Sequence, residues 1–306
     1  MSSSTANDQV YYFRCVPSGD GGQKARYLCI RPDADLTSFE GDAVITSTNP
    51  RFEGVMRKNW WGFAGKSSAD ASLHKLFADE RTGSSKLAAV CSRHQSSLVP
   101  GEVLITDVAQ LRKSNFSYVA HVTLPNHPAG DLANDPRPIA NEIGIQTASS
   151  AEEAEETLRK SVAAAFCQLG CNSSSGRNKV ESVALPAVGC GCRGYPDAVA
   201  AKIVYNCILD NVEKSANSNS DIRYVEVRCW ATLTFRAWRD VMLAESKVTQ
   251  CSYEEVCGDL FDGGTLLEYT KKKRQDDSCT ILYSLTYYHP PHRAQTQYHL
   301  NFLVSK

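Results

Sequence analysis

Three glycines, Gly189, Gly191 and Gly194, stand close together between an apolar run at 183–185 and Pro196. Backbone of this kind can approach a ligand closely and adopt positive φ, so that successive peptide N–H groups converge on an anion. Pro196 fits the first position of a helix, where its missing N–H costs nothing. A helix starting there adds partial positive charge suited to a phosphate. The stretch Val188, Gly189, Cys190, Gly191, Cys192, Arg193, Gly194 and Tyr195 is therefore read as an anion cradle built of main chain. Cys190 and Cys192 suggest a nucleophile or a metal pair, but two thiols one residue apart without a second ligand pair make a poor zinc site, so no metal or cofactor is expected.

The elements that must position this loop alternate between β-rich and helix-period segments. Residues 27–31, 42–48, 103–106, 118–124, 183–185 and 224–229 read as strands, several apolar enough to be buried on both faces. Ser150 and Glu153 form a capping-box pattern ahead of Leu158, Val162, Phe166 and Leu169 at helical spacing. Further helices are expected over 196–211 and 233–247. This is the rhythm of an α/β sandwich. The Pro- and Asn-rich stretch 126–149 reads as a long surface loop, and 278–288 with 296–304 as two strands of a hairpin-like extension. The expected organisation is a polar segment over 1–24, the α/β domain over 25–247 and a small β-rich C-terminal extension over 248–306.

Composition narrows the class. With 42% hydrophobic residues the chain can bury a full core. Thirty-three basic against thirty-four acidic residues give a net charge of −1, so no overall field draws it to nucleic acid or to an anionic membrane surface. The basic run 271–274 reads as solvated, and His289 and His292 as turn residues. The twelve cysteines lack the spacing of a disulfide framework and fit reduced thiols, with Cys29, Cys167, Cys207 and Cys229 in apolar runs. No signal peptide or membrane span is read, which points to a cytoplasmic or nuclear location.

Five collinear segments resemble the macrodomain family. Asp42-Ala-Val-Ile-Thr-Ser-Thr-Asn49 is similar to its D-A-I-V-N-A-A-N strand, and Ala69-Asp70-Ala-Ser-Leu-His-Lys75 to its V-D-G-A-I-H-K helix start. Pro100 to Thr106, Val119 to Pro125, and Val183 to Pro196 resemble the T-G-x-A-x-I-T, I-I-H-T-V-G-P and F-P-A-I-S-T-G…G-Y-P segments. The resemblance implies a three-layer α/β/α macrodomain sandwich with a mixed central sheet, similar to the MacroD-type hydrolase branch with an enlarged catalytic loop. It implies ADP-ribose or an ADP-ribosylated protein as partner, with Asp35 accepting from the adenine amino group and Asn49 on the distal ribose. Asp70 would orient the water that attacks the anomeric carbon. A helix-capping role for Asp70 stands beside that reading. Trp230 is the aromatic placed to pack on adenine, with a core tryptophan as the other reading. His74 and His121 are taken as structural.

The sequence departs from the family before Asp70. Of the family's four-glycine run only Gly65 stands, followed by Lys66, which would supply charge where bare backbone normally serves. The stretch from Asn49 to Asp70 is about twice the family's length and carries Trp60 and Trp61, read as a ligand stack or as anchors to the core. Three functions follow from the resemblance: an ADP-ribosyl hydrolase acting on mono-ADP-ribosylated protein or O-acetyl-ADP-ribose, a non-catalytic ADP-ribose reader, or an interaction scaffold.

Overall fold

The computed structural model describes residues 9–15, 25–32, 34–52, 68–94, 97–111, 113–130, 145–171, 179–191, 193–214, 221–261 and 263–272. Gly65, Lys66, Trp60, Trp61, Cys192 and the expected hairpin at 278–304 lie outside them. The chain divides into a unit up to Thr270 and a second from Lys271, of which only two residues are described.

Eight strands form one sheet: β1 (Tyr11–Cys15), β2 (Arg26–Pro32), β3 (Ala43–Thr48), β4 (Val103–Asp107), β5 (Tyr118–Thr123), β6 (Ser182–Pro186), β7 (Tyr224–Cys229) and β8 (Val248–Cys251), in the order β4-β5-β3-β6-β7-β2-β1-β8. The five central strands, β5 to β2, run parallel, while β4, β1 and β8 pair antiparallel at the margins. Helices α1 (Ala69–Leu76), α2 (Lys86–His94) and α6 (Tyr253–Phe261) cover one face. There Leu73, Leu87, Cys91 and Val256 join Val44, Val119 and Cys29 in one core. Helices α3 (Ala151–Cys171), α4 (Asp197–Lys214) and α5 (Thr232–Leu243) cover the other, packing Leu158, Val204 and Trp238 on Ile45, Ile30 and Leu185. Strands buried on both faces need apolar residues at every position, which explains their continuous hydrophobic runs. The architecture is the three-layer α/β/α sandwich with a mixed sheet.

The structure revises five local expectations. The sheet runs past the boundaries drawn at 24 and 247, because β1 and β8 pair with each other and with β2. Helix α5 ends at Leu243. Asp42, read as the start of a strand, is a buried carboxylate that accepts from the N–H groups of Glu181 and Ser182, at 2.8 and 3.0 Å, and ties the start of β3 to that of β6. Cys167 is exposed on α3, whereas Cys29, Cys207 and Cys229 are buried. The cap of α3 is also displaced by one residue: Ser150 Oγ accepts from the Glu153 N–H, but the Glu153 carboxylate reaches back to the Ser149 N–H at 2.7 Å.

Because β2, β3, β5, β6 and β7 are parallel, their C-terminal ends share one edge. In register, Pro32 lies beside Cys229, Pro186 beside Arg228 and Thr48 beside Thr123. The segments leaving that edge carry Asp35, Asn49, the 187–196 loop and Trp230. In parallel sheets this is the edge where ligands bind.

Candidate functional site

Asn49 follows directly on β3 and is buried. Its Oδ1 accepts from the Arg51 N–H at 3.0 Å and its carbonyl from Phe52 at 3.1 Å, so the residue turns the chain sharply. Phe52 takes a φ of 55°, rare for an aromatic residue, with its ring edge-on to the His121 ring at 5.7 Å.

Asp70 is the second residue of α1 and is 4% exposed. Capping belongs to Ser68, whose side chain accepts from the Ala71 N–H at 3.1 Å. The capping reading of Asp70 therefore falls, and a carboxylate buried without that task needs another reason to be there. Burial raises its pKa, opposed by His74, the Thr48 hydroxyl and the Arg193 guanidinium. His74 Nε2 stands 3.8 Å from Asp70 Oδ1, too far for a hydrogen bond. The other ring nitrogen of His74 meets Ser85 Oγ at 2.7 Å. His74, taken from sequence as structural, thus adjoins the candidate catalytic group. The signal was its position one helical turn after Asp70.

The glycine loop makes a tight coil. Cys190, Gly194 and Tyr195 donate their N–H groups to the carbonyls of Ala187, Gly191 and Gly189 at 3.1, 3.0 and 3.1 Å. Among the described residues the amides of Gly189 and Gly191 have no internal acceptor. The cradle expected from sequence is therefore narrower than the whole loop. Gly189 and Gly194 have φ of 88° and 71°, a freedom the sequence reading allowed all three glycines, whereas Gly191 does not use it. Gly194 also packs on Gly130 so closely that a Cβ would lie 2.4 Å from the Gly130 Cα.

Several loop side chains point inward. Val188 is core. Tyr195 lies under Gly189, its hydroxyl donating to the Ala154 carbonyl at 3.1 Å. Arg193 is buried, its Nη2 donating to the Thr48 carbonyl at 3.0 Å, while its own carbonyl accepts from His127 at 2.8 Å. Cys190 Sγ accepts from Trp238 Nε1 at 3.4 Å. Burial and the neighbouring Asp197 carboxylate push its thiol well up, which removes it as a nucleophile. Among the described residues no cluster of His, Cys, Asp or Glu could hold a metal ion.

Arg193 is the hinge of the geometry. It grips the end of β3 and lies within electrostatic reach of Asp70, so the loop after β6 and the start of α1 meet across the end of β3. Around that point the Oγ1 atoms of Thr46, Thr48 and Thr123, Nδ1 of His121, Nε2 of His74 and Oδ1 of Asp70 are buried without a hydrogen-bond partner among the described residues. Thr48 and Asp70 are near each other without reaching bonding geometry. Register pairs Thr46 with His121 and Thr48 with Thr123, all on the sheet face that α1 covers. Each such atom costs about 1–3 kcal/mol when unsatisfied. Their concentration marks a polar surface that a hydroxyl-rich ligand can satisfy.

Asp35 and Trp230 lie farther along the edge. Asp35 Oδ1 accepts from the Thr37 N–H at 2.9 Å, opening a short turn over Leu36–Ser38. Trp230 is 46% exposed, which removes its core reading; among the described residues the core tryptophan is Trp238.

No family model matches the sequence, and no curated protein does. Among solved structures, the fold is similar to an Oceanobacillus iheyensis macrodomain with MES bound, at 15% identity and a TM-score of 0.50, covering 77% of this chain and 97% of that one. The same macrodomain with ADP gives 15% and 0.50, covering 77% and 96%. A Trypanosoma brucei macrodomain in complex with ADP-ribose gives 17% and 0.45, covering 70% and 68%. The chain has the macrodomain fold.

Proposed function

We propose that this macrodomain fold binds ADP-ribose along the C-terminal edge of its sheet and hydrolyses ADP-ribosyl linkages there, in the manner of the MacroD-type branch. The observation that carries the reading is the meeting of Asp70, the end of β3 and the glycine loop at Arg193, within a layer of unsatisfied polar atoms. The diphosphate takes the Gly189 and Gly191 amides and the start of α4, Asp35 accepts from the adenine amino group and Trp230 packs on the base. The Oceanobacillus macrodomain is known with ADP, which agrees with a ligand of this class.

At the distal ribose of a modified protein, Asp70 takes a proton from water as the water oxygen bonds to the anomeric carbon, and the bond from that carbon to the acceptor oxygen breaks with its electron pair, so that the acceptor leaves as a carboxylate or, as a hydroxyl, by taking up the proton held on Asp70. A carboxylate whose pKa burial has raised is a better base at neutral pH than an exposed one. His74, the Thr48 hydroxyl and the Arg193 guanidinium oppose that rise. The substrate is mono-ADP-ribosylated protein, or O-acetyl-ADP-ribose, in which the water attacks the acetyl carbonyl carbon instead and acetate leaves the ribose hydroxyl. We also place the protein in the cytoplasm or nucleus, where the ten described free thiols stay reduced.

A reader without turnover is the second reading, favoured by the three loop amides already engaged within the loop. Calorimetry with ADP-ribose and release of ADP-ribose from a modified protein separate the two. Asp70→Asn should cut release by about 10²–10⁴-fold and leave ADP-ribose affinity within a few-fold. Equal rates in both proteins would remove Asp70 from the chemistry. Binding without release in the native chain selects the reader, and no binding at millimolar ADP-ribose defeats both.

A further inference from the structure

Under the adenine end of the crevice lies a buried charge relay that the proposed activity does not itself use. Glu226, in the middle of β7, is 2% exposed and fully engaged. Its Oε1 accepts from Arg31 Nε at 2.9 Å and Arg228 Nε at 2.7 Å, and its Oε2 from the Tyr224 hydroxyl at 2.8 Å. The two guanidinium groups hold its carboxyl below the usual range against the effect of burial.

Arg228, 7% exposed, is bound on both sides. Nε faces Glu226, while Nη1 donates to the Asp35 carbonyl and, at 2.8 Å, to Ser38 Oγ. Its guanidinium also lies 5.3 Å from the centre of the buried Phe39 ring. Ser38 Oγ donates in turn to the Asp35 carbonyl at 2.9 Å. One planar fork therefore joins the sheet to the turn that presents the Asp35 carboxylate. Lysine, with a single nitrogen at the end of its chain, cannot span both sides.

We propose that Arg228, locked by Glu226, is the positioning residue that gives the Asp35 turn its preference for a base bearing an exocyclic amino group. The inference deepens the proposed function and rests on it. An acceptor-only carboxylate favours adenine over hypoxanthine, which carries an oxygen in place of the amino group. That preference needs the turn to hold the carboxylate in place, because a misplaced acceptor reads neither base.

The test measures affinity for ADP and for IDP by calorimetry on the full chain, in the native protein and in Arg228→Lys and Ser38→Ala. Native protein should favour ADP by about tenfold, the worth of one hydrogen bond to a charged acceptor. In both variants the ratio should move towards one while IDP affinity holds. Ser38→Ala removes only a half-exposed contact, so it reports even if Arg228→Lys does not fold. A preference for ADP unchanged in Ser38→Ala and in a folded Arg228→Lys overturns the proposal, as does equal native affinity for the two. A native chain that binds neither nucleotide nor ADP-ribose defeats the proposed function instead.

Discussion

His121 sits fully buried on β5, with Nε2 3.3 Å from Cys91 Sγ and the Phe52 ring against its own. Burial, reinforced by His74, pushes its pKa from 6.5 down to about 3. The unfolded chain takes up this proton near 6.5, and the folded chain only near 3. The stability that neutral His121 contributes is complete above that upper value and lost progressively as pH falls towards the lower one. Thermal melts across this window should show His121→Gln losing less stability on acidification than the native chain; parallel curves would remove His121 as the cause. At this scale sequence placed Asp35 after a strand, Asn49 at a strand end and Asp70 at a helix start, where the structure has them. It left a capping role for Asp70 open, because that depended on whether Ser68 Oγ reached the Ala71 N–H. Trp230 was open for a similar reason: exposure depends on what packs over it, and neighbours in space are not neighbours in sequence.

The glycine loop shows how an element can be half legible. That glycines here could take positive φ was legible from residue type, whereas the contact between Gly194 and Gly130 joins segments far apart in sequence. Gly194→Ala combines strained backbone with a Cβ 2.4 Å from that main chain. It should destabilise by about 1–3 kcal/mol and weaken ADP-ribose binding by shifting the loop. Gly191→Ala, with φ outside the positive region and nothing within 4 Å of a Cβ, should stay within about 0.5 kcal/mol. Denaturant melts of the pair provide the check, and similar losses in both would mean that the loop tolerates no side chain anywhere. The inward turn of Arg193, Tyr195 and Val188 escaped the sequence reading, since all three are flanked by residues suited to a ligand loop.

Across the whole molecule, the sheet continues into what composition marked as an extension. β8 pairs Cys251 with Tyr12, and α6 buries Val256, Leu260 and Phe261 beside Tyr224 and Tyr27. The Tyr27 hydroxyl donates to Asp259, and Tyr269 donates to Glu181 at 2.6 Å. A chain ending at Lys247 would expose these side chains. At about 1.5–3 kcal/mol for each large one, the loss takes most of a margin of roughly 5–15 kcal/mol. That truncation should lose its cooperative melt, whereas a chain ending at Lys272 should keep it; circular dichroism decides, and a cooperative melt in the shorter chain would show α6 to be dispensable.

The amino-acid order by itself determined six of the eight described strands, most described helices, the glycine turn and the layered class, because hydrophobic period and turn chemistry act over a few residues. Tertiary structure alone decided that β1 and β8 share the sheet, that Arg193 clasps β3 beside Asp70, and that Arg228 braces the Asp35 turn from beneath. Each of those joins residues far apart along the chain, and only the closing of the sheet brings them within reach of a hydrogen bond or a charge.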